Sequence, residues 1–331
     1  MKYKAVGRTG VLVSELCLGT MSFGSEASEA EATLMFNKCR EAGVNLFDCA
    51  NNYGDGNAEL ILGKLISSCR DEVVITTKVA QRTGKDVNAL GASRRNIMLA
   101  VEKSLSRLKT DRIDFYFVHY FDPLTSIEET LRALDDLVRQ GKVLYLGASN
   151  WAAWQVAKAL GISAQNGLAR FECVEPLYNL VKRLAEVEIL PMAEAEQLGV
   201  ITYNPLGAGL LTGKYSTGRR PQTGRITEKD NYAKRYGSPV YYEIAERFVN
   251  YAKNLGVSPV TLAVSWVGSH PAVTAPIIGA RNVAQLEDSL AAANFKITPE
   301  IKAAIADLSV HPGTATDRHE ELDPKYIFRN R

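Results

Sequence analysis

The chain has 331 residues, with 39 lysines and arginines against 37 aspartates and glutamates, which gives a formal net charge of +2. This near balance gives no reason to expect nucleic acid or an anionic membrane as a partner. No apolar run approaches the roughly 20 residues of a membrane span, and the N-terminus lacks the apolar region of a secretory signal. Five scattered cysteines without a close pair argue against a disulfide framework and a zinc site. We therefore expect a cytoplasmic protein.

Short apolar runs alternate along the chain with longer amphipathic stretches. A hairpin is predicted first, because Lys4–Val6 and Val11–Val13 flank a turn that contains Gly7 and Gly10. Eight runs rich in Val, Ile, Phe and Tyr then predict strands, since they are too short for helices. These runs are Leu16–Leu18, Val44–Phe47, Val73–Thr77, Ile113–Val118, Val143–Leu146, Phe171–Val174, Val200–Tyr203 and Val273–Ile277.

The stretches between these runs predict helices, because apolar residues recur in them at helical spacing. The clearest examples are Glu29–Glu41, Arg94–Leu108, Ile127–Arg139 and Ala185–Leu198. Alternating strands and helices predict a parallel sheet with helices outside it, and eight such units fit a closed (β/α)8 barrel. An open doubly wound sheet is the alternative, but Leu18–Gly24 lacks the Gly-x-Gly-x-x-Gly spacing of a dinucleotide-binding turn.

One segment interrupts the alternation of strands and helices. Residues 207–240 follow the seventh predicted strand, are rich in glycine and polar residues, and show no clear periodicity. A loop of this length inside a compact domain is usually functional. We expect one barrel domain over residues 1–331, with a long loop at about 207–240 and a polar tail at about 309–331.

Polar residues follow several of the predicted strands, at the end of a barrel where chemistry takes place. Asp48, Lys78 and His119 follow the second, third and fourth strands, and Tyr53 lies five residues beyond Asp48. Strands commonly end in polar residues, so the set is more informative than any one member. A lysine beside the tyrosine should lower the tyrosine pKa, while the aspartate keeps the lysine charged. Such a tyrosine could protonate a carbonyl oxygen while a hydride reaches the carbon.

The segment Gly43–Gly54, with the sequence GVNLFDCANNYG, resembles the aldo-keto reductase signature around its Asp and Tyr. Further matches are Thr76–Lys78, Asp114–His119, Gly147–Asn150, Tyr203–Leu206, Gly213–Tyr215 and Ile277–Asn282. The resemblance runs in order from Lys4 to Leu308 and is closest to the branch that includes bacterial general-stress reductases and potassium-channel β subunits. It implies a (β/α)8 barrel and NADPH-dependent carbonyl reduction without a metal.

The resemblance also implies roles for individual residues. Tyr53 matches the general acid, Asp48 and Lys78 tune it, and His119 orients the substrate carbonyl. The matches to cofactor contacts are Gly19, Thr20 and Met21 after the first strand; Asp48, Ser149, Asn150, Glu175 and Tyr203 around the nicotinamide; Asn204, Pro205, Leu206, Gly209, Lys214 and Arg225 around the pyrophosphate; and Gly279, Arg281, Gln285, Asp288 and Ser289 around the 2′-phosphate and adenine. The expected substrate pocket comprises Phe23, Tyr53, His119, Tyr120 and Trp151, although Phe23, Tyr120 and Trp151 could equally be packing residues.

Glu175 departs from the family pattern, which usually has Gln at this position. A Gln can both donate to and accept from the nicotinamide carboxamide, whereas an ionised Glu can only accept. One hypothesis is that the carboxylate favours the positively charged oxidised nicotinamide over the reduced one. The alternative is that Glu175 is protonated or ion-paired and simply replaces the Gln.

Two functions remain open from the sequence. The first is an NADPH-dependent reductase whose substrate is a small aldehyde or ketone, and the second is a nucleotide-sensing regulatory subunit of the channel-β type. A metal-dependent barrel hydrolase is disfavoured, because the chain has four histidines and no His-x-His pair to supply metal ligands. No pattern in the sequence predicts an oligomeric state.

Overall fold

In the computed structural model, which describes residues 1–318 and 320, an antiparallel hairpin leads into a closed parallel barrel. The hairpin pairs β1, Tyr3–Ala5, with β2, Leu12–Ser14. The barrel strands are β3, Cys17–Gly19; β4, Leu46–Asp48; β5, Val74–Val79; β6, Ile113–Val118; β7, Val143–Ser149; β8, Phe171–Glu175; β9, Gly199–Thr202; and β10, Ala275–Ile278. Each barrel strand pairs with the next, and β10 closes the ring against β3. The predicted (β/α)8 barrel is thus confirmed, and the open sheet is excluded.

Helices connect the strands and surround the barrel. They are α1, Glu29–Glu41; α2, Asn57–Ile66; α3, Arg94–Leu108; α4, Ile127–Arg139; α5, Ala153–Asn166; α6, Ile189–Ala195; α7, Arg225–Glu228; α8, Asp230–Tyr236; α9, Pro239–Asn254; α10, Pro259–Gly268; α11, Val283–Leu290; and α12, Pro299–Ala306. The hydroxyls of Ser28, Ser93 and Ser126 accept backbone N–H hydrogen bonds at the starts of α1, α3 and α4, which fixes where those helices begin. In the described part of the chain, no helix has the length and apolar character needed to cross a bilayer.

Apart from shifts at strand ends, two predicted stretches have a different secondary structure from the one expected. The predicted helix Ala185–Leu198 is instead a 3-10 turn, Leu184–Glu186, followed by the shorter α6. Pro191 explains the break, because a proline in the first turn of a helix prevents the helix from continuing backwards through the residues before it. Residues 207–240 are not a plain loop, since they form a 3-10 turn, α7, α8 and the start of α9. Of the predicted tail at 309–331, residues 319 and 321–331 lie outside the described residues.

The hairpin closes the N-terminal end of the barrel. Val6 and Val13 are fully buried and pack on the residues that fill the barrel interior, which are Cys17, Leu46, Phe115, Phe117, Cys173, Ile201 and Ala275. Gly199, the first residue of β9, permits this approach, because a Cβ there would lie 2.3 Å from Cγ1 of Val6. Side chains therefore fill the barrel interior and the hairpin covers its N-terminal end, so a site can form only at the C-terminal ends of the strands.

Candidate active site

A cavity of about 960 Å³ opens at the C-terminal ends of the barrel strands. Most of the residues predicted to contact cofactor or substrate lie in its wall. They are Gly19, Met21, Asp48, Tyr53, His119, Tyr120, Asn150, Glu175, Tyr203, Asn204, Pro205, Leu206, Gly209, Lys214, Arg225, Gly279, Arg281, Gln285, Asp288 and Ser289. The segment 207–240 contributes further wall residues that were not predicted, among them Asn231, Tyr232 and Arg235 of α8.

The remaining predicted residues lie behind the cavity wall. The fully buried Phe23 and the almost fully buried Trp151, both expected in the substrate pocket, belong to the hydrophobic core instead. The Trp151 ring packs edge-on against Phe121 at 5.0 Å, and large apolar rings at strand ends gain more from such burial than from facing a polar cavity. Thr20 is also buried, and its hydroxyl donates to the backbone carbonyl of Asp48 at 2.9 Å.

Asp48 and Lys78 form a buried ion pair beneath the cavity. Because Asp48 is in register with Thr76 on the neighbouring strand, Lys78, two residues further on, points to the same side of the sheet. The Lys78 ammonium is fully buried and donates to the Asp48 carboxylate and to the carbonyl of Cys49. Burial by itself lowers the pKa of Lys78, but Asp48 and then Glu175 raise it well above its usual range. The lysine therefore stays charged, as the sequence predicts.

Tyr53 is held over this ion pair by a tight turn. It begins the 3-10 turn Tyr53–Gly56, in which Gly54 and Asp55 have left-handed φ angles of 54° and 55° and fold the chain back towards the barrel. Nζ of Lys78 lies 5.4 Å from the centre of the Tyr53 ring. The His119 ring approaches Tyr53 edge-on, with ring centres 5.9 Å apart. The structure thus brings together the four side chains that the sequence singled out.

The ionisation of Tyr53 differs from the sequence-based expectation of a lowered pKa. Burial raises the pKa of Tyr53 well above its usual range; Lys78 opposes this rise, but Asp48 and Glu175 add to it. The expectation took one carboxyl into account, whereas two carboxyls share the lysine. Burial and then Lys78 lower the pKa of His119 well below its usual range. At neutral pH the site therefore presents a phenol and an uncharged imidazole, each able to donate a hydrogen bond.

Asn150 joins His119 to Tyr203 across the cavity wall. Its side-chain amide donates to the His119 carbonyl and to the Ser149 hydroxyl, both at 3.0 Å, and its carbonyl oxygen accepts from the Tyr203 hydroxyl at 2.6 Å. Ser149 is fully buried and donates to the backbone carbonyl of Glu175 at 3.1 Å. Ser149, expected to contact the nicotinamide, therefore lies behind the wall and braces Asn150.

The opposite end of the cavity is rich in cations. Lys214, Arg225 and Arg281 lie there as predicted, and Glu26, which the sequence analysis did not single out, pairs with several cations of this end. Glu26 lies 2.8 Å from Arg281, 3.2 Å from Lys229 and 3.5 Å from Arg225. Burial alone would raise the pKa of Glu26, but these cations lower it to about 2. Its partners are 199 to 255 residues away in the chain, so no local pattern could have revealed it.

Several features of this end fit a phosphate-bearing dinucleotide. Gly209 has a φ of 89°, and a Cβ there would lie 2.7 Å from Cε of Lys214, so glycine keeps space open beside the ammonium. Burial, with Arg281 and Arg225, lowers the pKa of Lys214, which an added anion would counteract. The buried hydroxyl of Ser289 has no hydrogen-bond partner among the described residues. Within those same residues, no cluster of three or more His, Cys, Asp or Glu could hold a metal ion.

Comparisons with known proteins agree with this site. The model of the aldo/keto reductase family matches residues 15–309. The chain is similar to "Uncharacterized oxidoreductase YrpG" of Bacillus subtilis, with 36% identity over 328 residues that cover 96% of this chain and 98% of the relative. It is 36% identical over 312 residues to "Probable voltage-gated potassium channel subunit beta" of Oryza sativa subsp. japonica, covering 91% and 94% of the two chains. It is also 30% identical over 350 residues to "Versiconal hemiacetal acetate reductase" of Aspergillus parasiticus, covering 95% and 99%.

The family match spans all eight barrel strands and includes the whole group Asp48, Tyr53, Lys78 and His119. The resemblance seen in the sequence is therefore confirmed, and the chain belongs to the aldo/keto reductase family of oxidoreductases.

Proposed function

We propose that the protein is an NADPH-dependent reductase that converts a small aldehyde or ketone to the alcohol, with Tyr53 as the general acid. The observation that carries this proposal is the convergence of a phenol, an uncharged imidazole and a buried ammonium at one end of a long cavity whose other end is cationic. A carbonyl needs hydrogen-bond donors at the first end, and a phosphorylated dinucleotide needs positive charge at the second.

Different residues of the cavity would hold different parts of the cofactor. Lys214, Arg225 and Arg281 are the donors suited to its phosphates, and the Arg281 fork suits a 2′-phosphate. Asn150, Glu175 and Tyr203 form the wall suited to the nicotinamide. When bound, NADPH supplies the hydride for the carbonyl carbon. The chain itself supplies no metal site among its described residues.

The side chains at the barrel mouth act on the carbonyl oxygen. His119 donates a hydrogen bond that orients the carbonyl, and the phenol of Tyr53 donates the proton as negative charge develops on that oxygen. The phenolate left on Tyr53 is stabilised by Lys78, whose ammonium lies 5.4 Å from the ring centre. Asp48 holds Lys78 in place and keeps it charged.

A second candidate function is a nucleotide-binding regulatory subunit of the channel-β type. The similarity to the probable potassium-channel β subunit of Oryza sativa, which covers 91% of this chain, favours it. Such a subunit would bind NADPH in the same cavity and report its oxidation state to a partner. The two functions differ in whether small carbonyl compounds are turned over.

The deciding experiment is a panel of small aldehydes and ketones, with NADPH oxidation and alcohol formation both measured on the purified protein. A reductase is expected to form one alcohol for each NADPH oxidised, at a rate that saturates with substrate. Tight NADPH binding without turnover of any panel member would favour the regulatory subunit. Failure to bind NADPH would contradict both candidate functions.

A further inference from the structure

Glu175 introduces a second carboxyl at a buried lysine that already has one. It ends β8, is 3% exposed and lines the cavity. Its Oε2 lies 3.2 Å from Nζ of Lys78 but has no hydrogen-bond partner in the described part of the chain. Lys78 directs hydrogen bonds to Asp48 and to the Cys49 carbonyl instead. The single ammonium of Lys78 therefore lies close to two carboxyl groups but donates a hydrogen bond only to that of Asp48.

The two carboxyls also influence each other's ionisation, because both approach the ammonium of Lys78. Burial, then Asp48, raise the pKa of Glu175 well above its usual range, and Lys78 opposes the rise. Like charges that share one site oppose each other's ionisation, so a proton on Glu175 relieves the repulsion between the two carboxyls.

The other groups around Glu175 do not supply the missing positive charge. The titratable groups that face it or its lysine are Cys17 on β3, Asp48 on β4, Cys49 and Tyr53 after β4, Lys78 on β5, His119 after β6, Cys173 on β8 and Tyr203 after β9. Burial raises the pKa of the three thiols and of both phenols, and it lowers the pKa of the imidazole, so all six are uncharged at neutral pH. Within this set, Lys78 is the sole cation.

We propose that Glu175 responds to the oxidation state of the bound nicotinamide, keeping its proton beside the reduced ring and releasing it to solvent beside the positively charged oxidised ring. This inference rests on the proposed function, because it needs NADPH and NADP⁺ in the cavity. On binding of NADP⁺, the O–H bond of the Glu175 carboxyl breaks, the electron pair stays on the carboxylate, and the proton goes to the buffer. Two carboxylates then face two positive charges.

The proposal fixes the sign of a pH dependence. A positive ring beside the carboxyl pair stabilises the ionised form of Glu175, so binding of NADP⁺ releases a proton. By linkage, NADP⁺ affinity then increases with pH, by up to about tenfold per pH unit for one proton released. NADPH carries no ring charge, so its affinity gains no such dependence from Glu175. The ratio of the two affinities is the informative quantity, because both cofactors carry the titrating 2′-phosphate.

Calorimetric titration in two buffers of different ionisation enthalpy counts the protons directly. NADP⁺ and NADPH are titrated separately into wild type, into Glu175→Gln, and into Glu172→Gln as the matched control. Glu172 lies on the same strand but outside the cavity wall, 3.5 Å from Arg8. We expect wild type and the control to release about one more proton with NADP⁺ than with NADPH. Glu175→Gln should show no difference between the two cofactors.

The outcomes separate this inference from the proposed function. Equal proton release for both cofactors in wild type overturns the inference and leaves the function standing, because both nucleotides still bind. A difference that persists in Glu175→Gln overturns it as well. If Glu175 is always ionised, Glu175→Gln will lose part of its preference for NADP⁺ over NADPH, yet wild type will release no extra proton with NADP⁺. That result also contradicts the inference. If neither nucleotide binds wild type, both the function and the inference fail.

Discussion

Tyr53 is the side chain whose removal should affect the chemistry most selectively. It keeps its proton at neutral pH because burial raises its pKa, and Lys78 stabilises the anion that forms when the proton leaves. We expect Tyr53→Phe to reduce kcat/KM for an unactivated aldehyde by about 10²- to 10⁴-fold, the usual contribution of general acid catalysis. NADPH affinity should change little, since the hydroxyl is needed only as the carbonyl oxygen gains charge.

The control for this variant is Tyr145→Phe, because the Tyr145 hydroxyl contacts the Thr9 carbonyl at the opposite end of the barrel. It should retain wild-type turnover. Steady-state kinetics together with a fluorescence titration of NADPH separate the two effects. Wild-type turnover of the aldehyde by Tyr53→Phe would rule out Tyr53 as the acid.

Arg281 is the residue expected to distinguish NADPH from NADH. Its guanidinium already pairs with Glu26, so a phosphate gains only by exchange with that carboxylate. We therefore expect Arg281→Ala to weaken NADPH binding by about 1.5 kcal/mol, at the low end of the range for a charged hydrogen bond, and to leave NADH binding unchanged. Arg132→Ala, which removes an exposed arginine of α4 outside the cavity wall, is the control. Equal losses for both cofactors would indicate a structural arginine.

At the scale of elements, the strands could be predicted from the sequence better than their ends. β5, β7 and β8 each extend beyond the predicted ends at Thr77, Leu146 and Val174. The added residues include Lys78, Ser149 and Glu175, which are polar because they surround the site, and polarity hides the end of a strand from a hydrophobic pattern. The polar site residues therefore make the C-terminal ends of their own strands hard to predict.

The candidate site likewise contains some residues that could be predicted from the sequence and others that could not. The group around Asp48 and Tyr53 could be predicted because short, specific sequence segments surround each member. Glu26 could not, because its ion pairs join loops that only the closed barrel brings together. Phe23 and Trp151 could not be assigned either, because an aromatic residue after a strand has the same sequence pattern whether it lines a cavity or fills the core.

The contact between the hairpin and β9 gives a stability prediction at this scale. Gly199→Ala places a Cβ against Cγ1 of Val6 and should destabilise the fold by about 1–3 kcal/mol, the usual cost of overpacking a core. Val6→Ala removes that atom, so the double variant should be less destabilised than the sum of the single variants. Thermal or denaturant unfolding of all four proteins checks this. Simple additivity would contradict the close packing of the hairpin.

At the scale of the whole molecule, the barrel separates stability from function along its axis. The hairpin and the interior side chains fill the N-terminal end, while the C-terminal end holds the cavity and all four residues of the proposed catalytic group. Loops and short helices from distant parts of the chain, including α7 and α8, close the cavity over its cationic side. This arrangement leaves the cavity at the C-terminal end as the space in which a hydride donor and a carbonyl compound would meet.

The central claim, that this cavity transfers a hydride to a carbonyl carbon, is tested most directly by isotope transfer. The protein is mixed with an aldehyde and NADPH deuterated at the hydride-donating ring carbon, in each of its two stereochemical forms, and the product is analysed by mass spectrometry. Because the chiral cavity would present one face of the ring, we expect deuterium in the alcohol from one form and hydrogen from the other. Alcohol without deuterium from either form, or no alcohol at all, would contradict the claim.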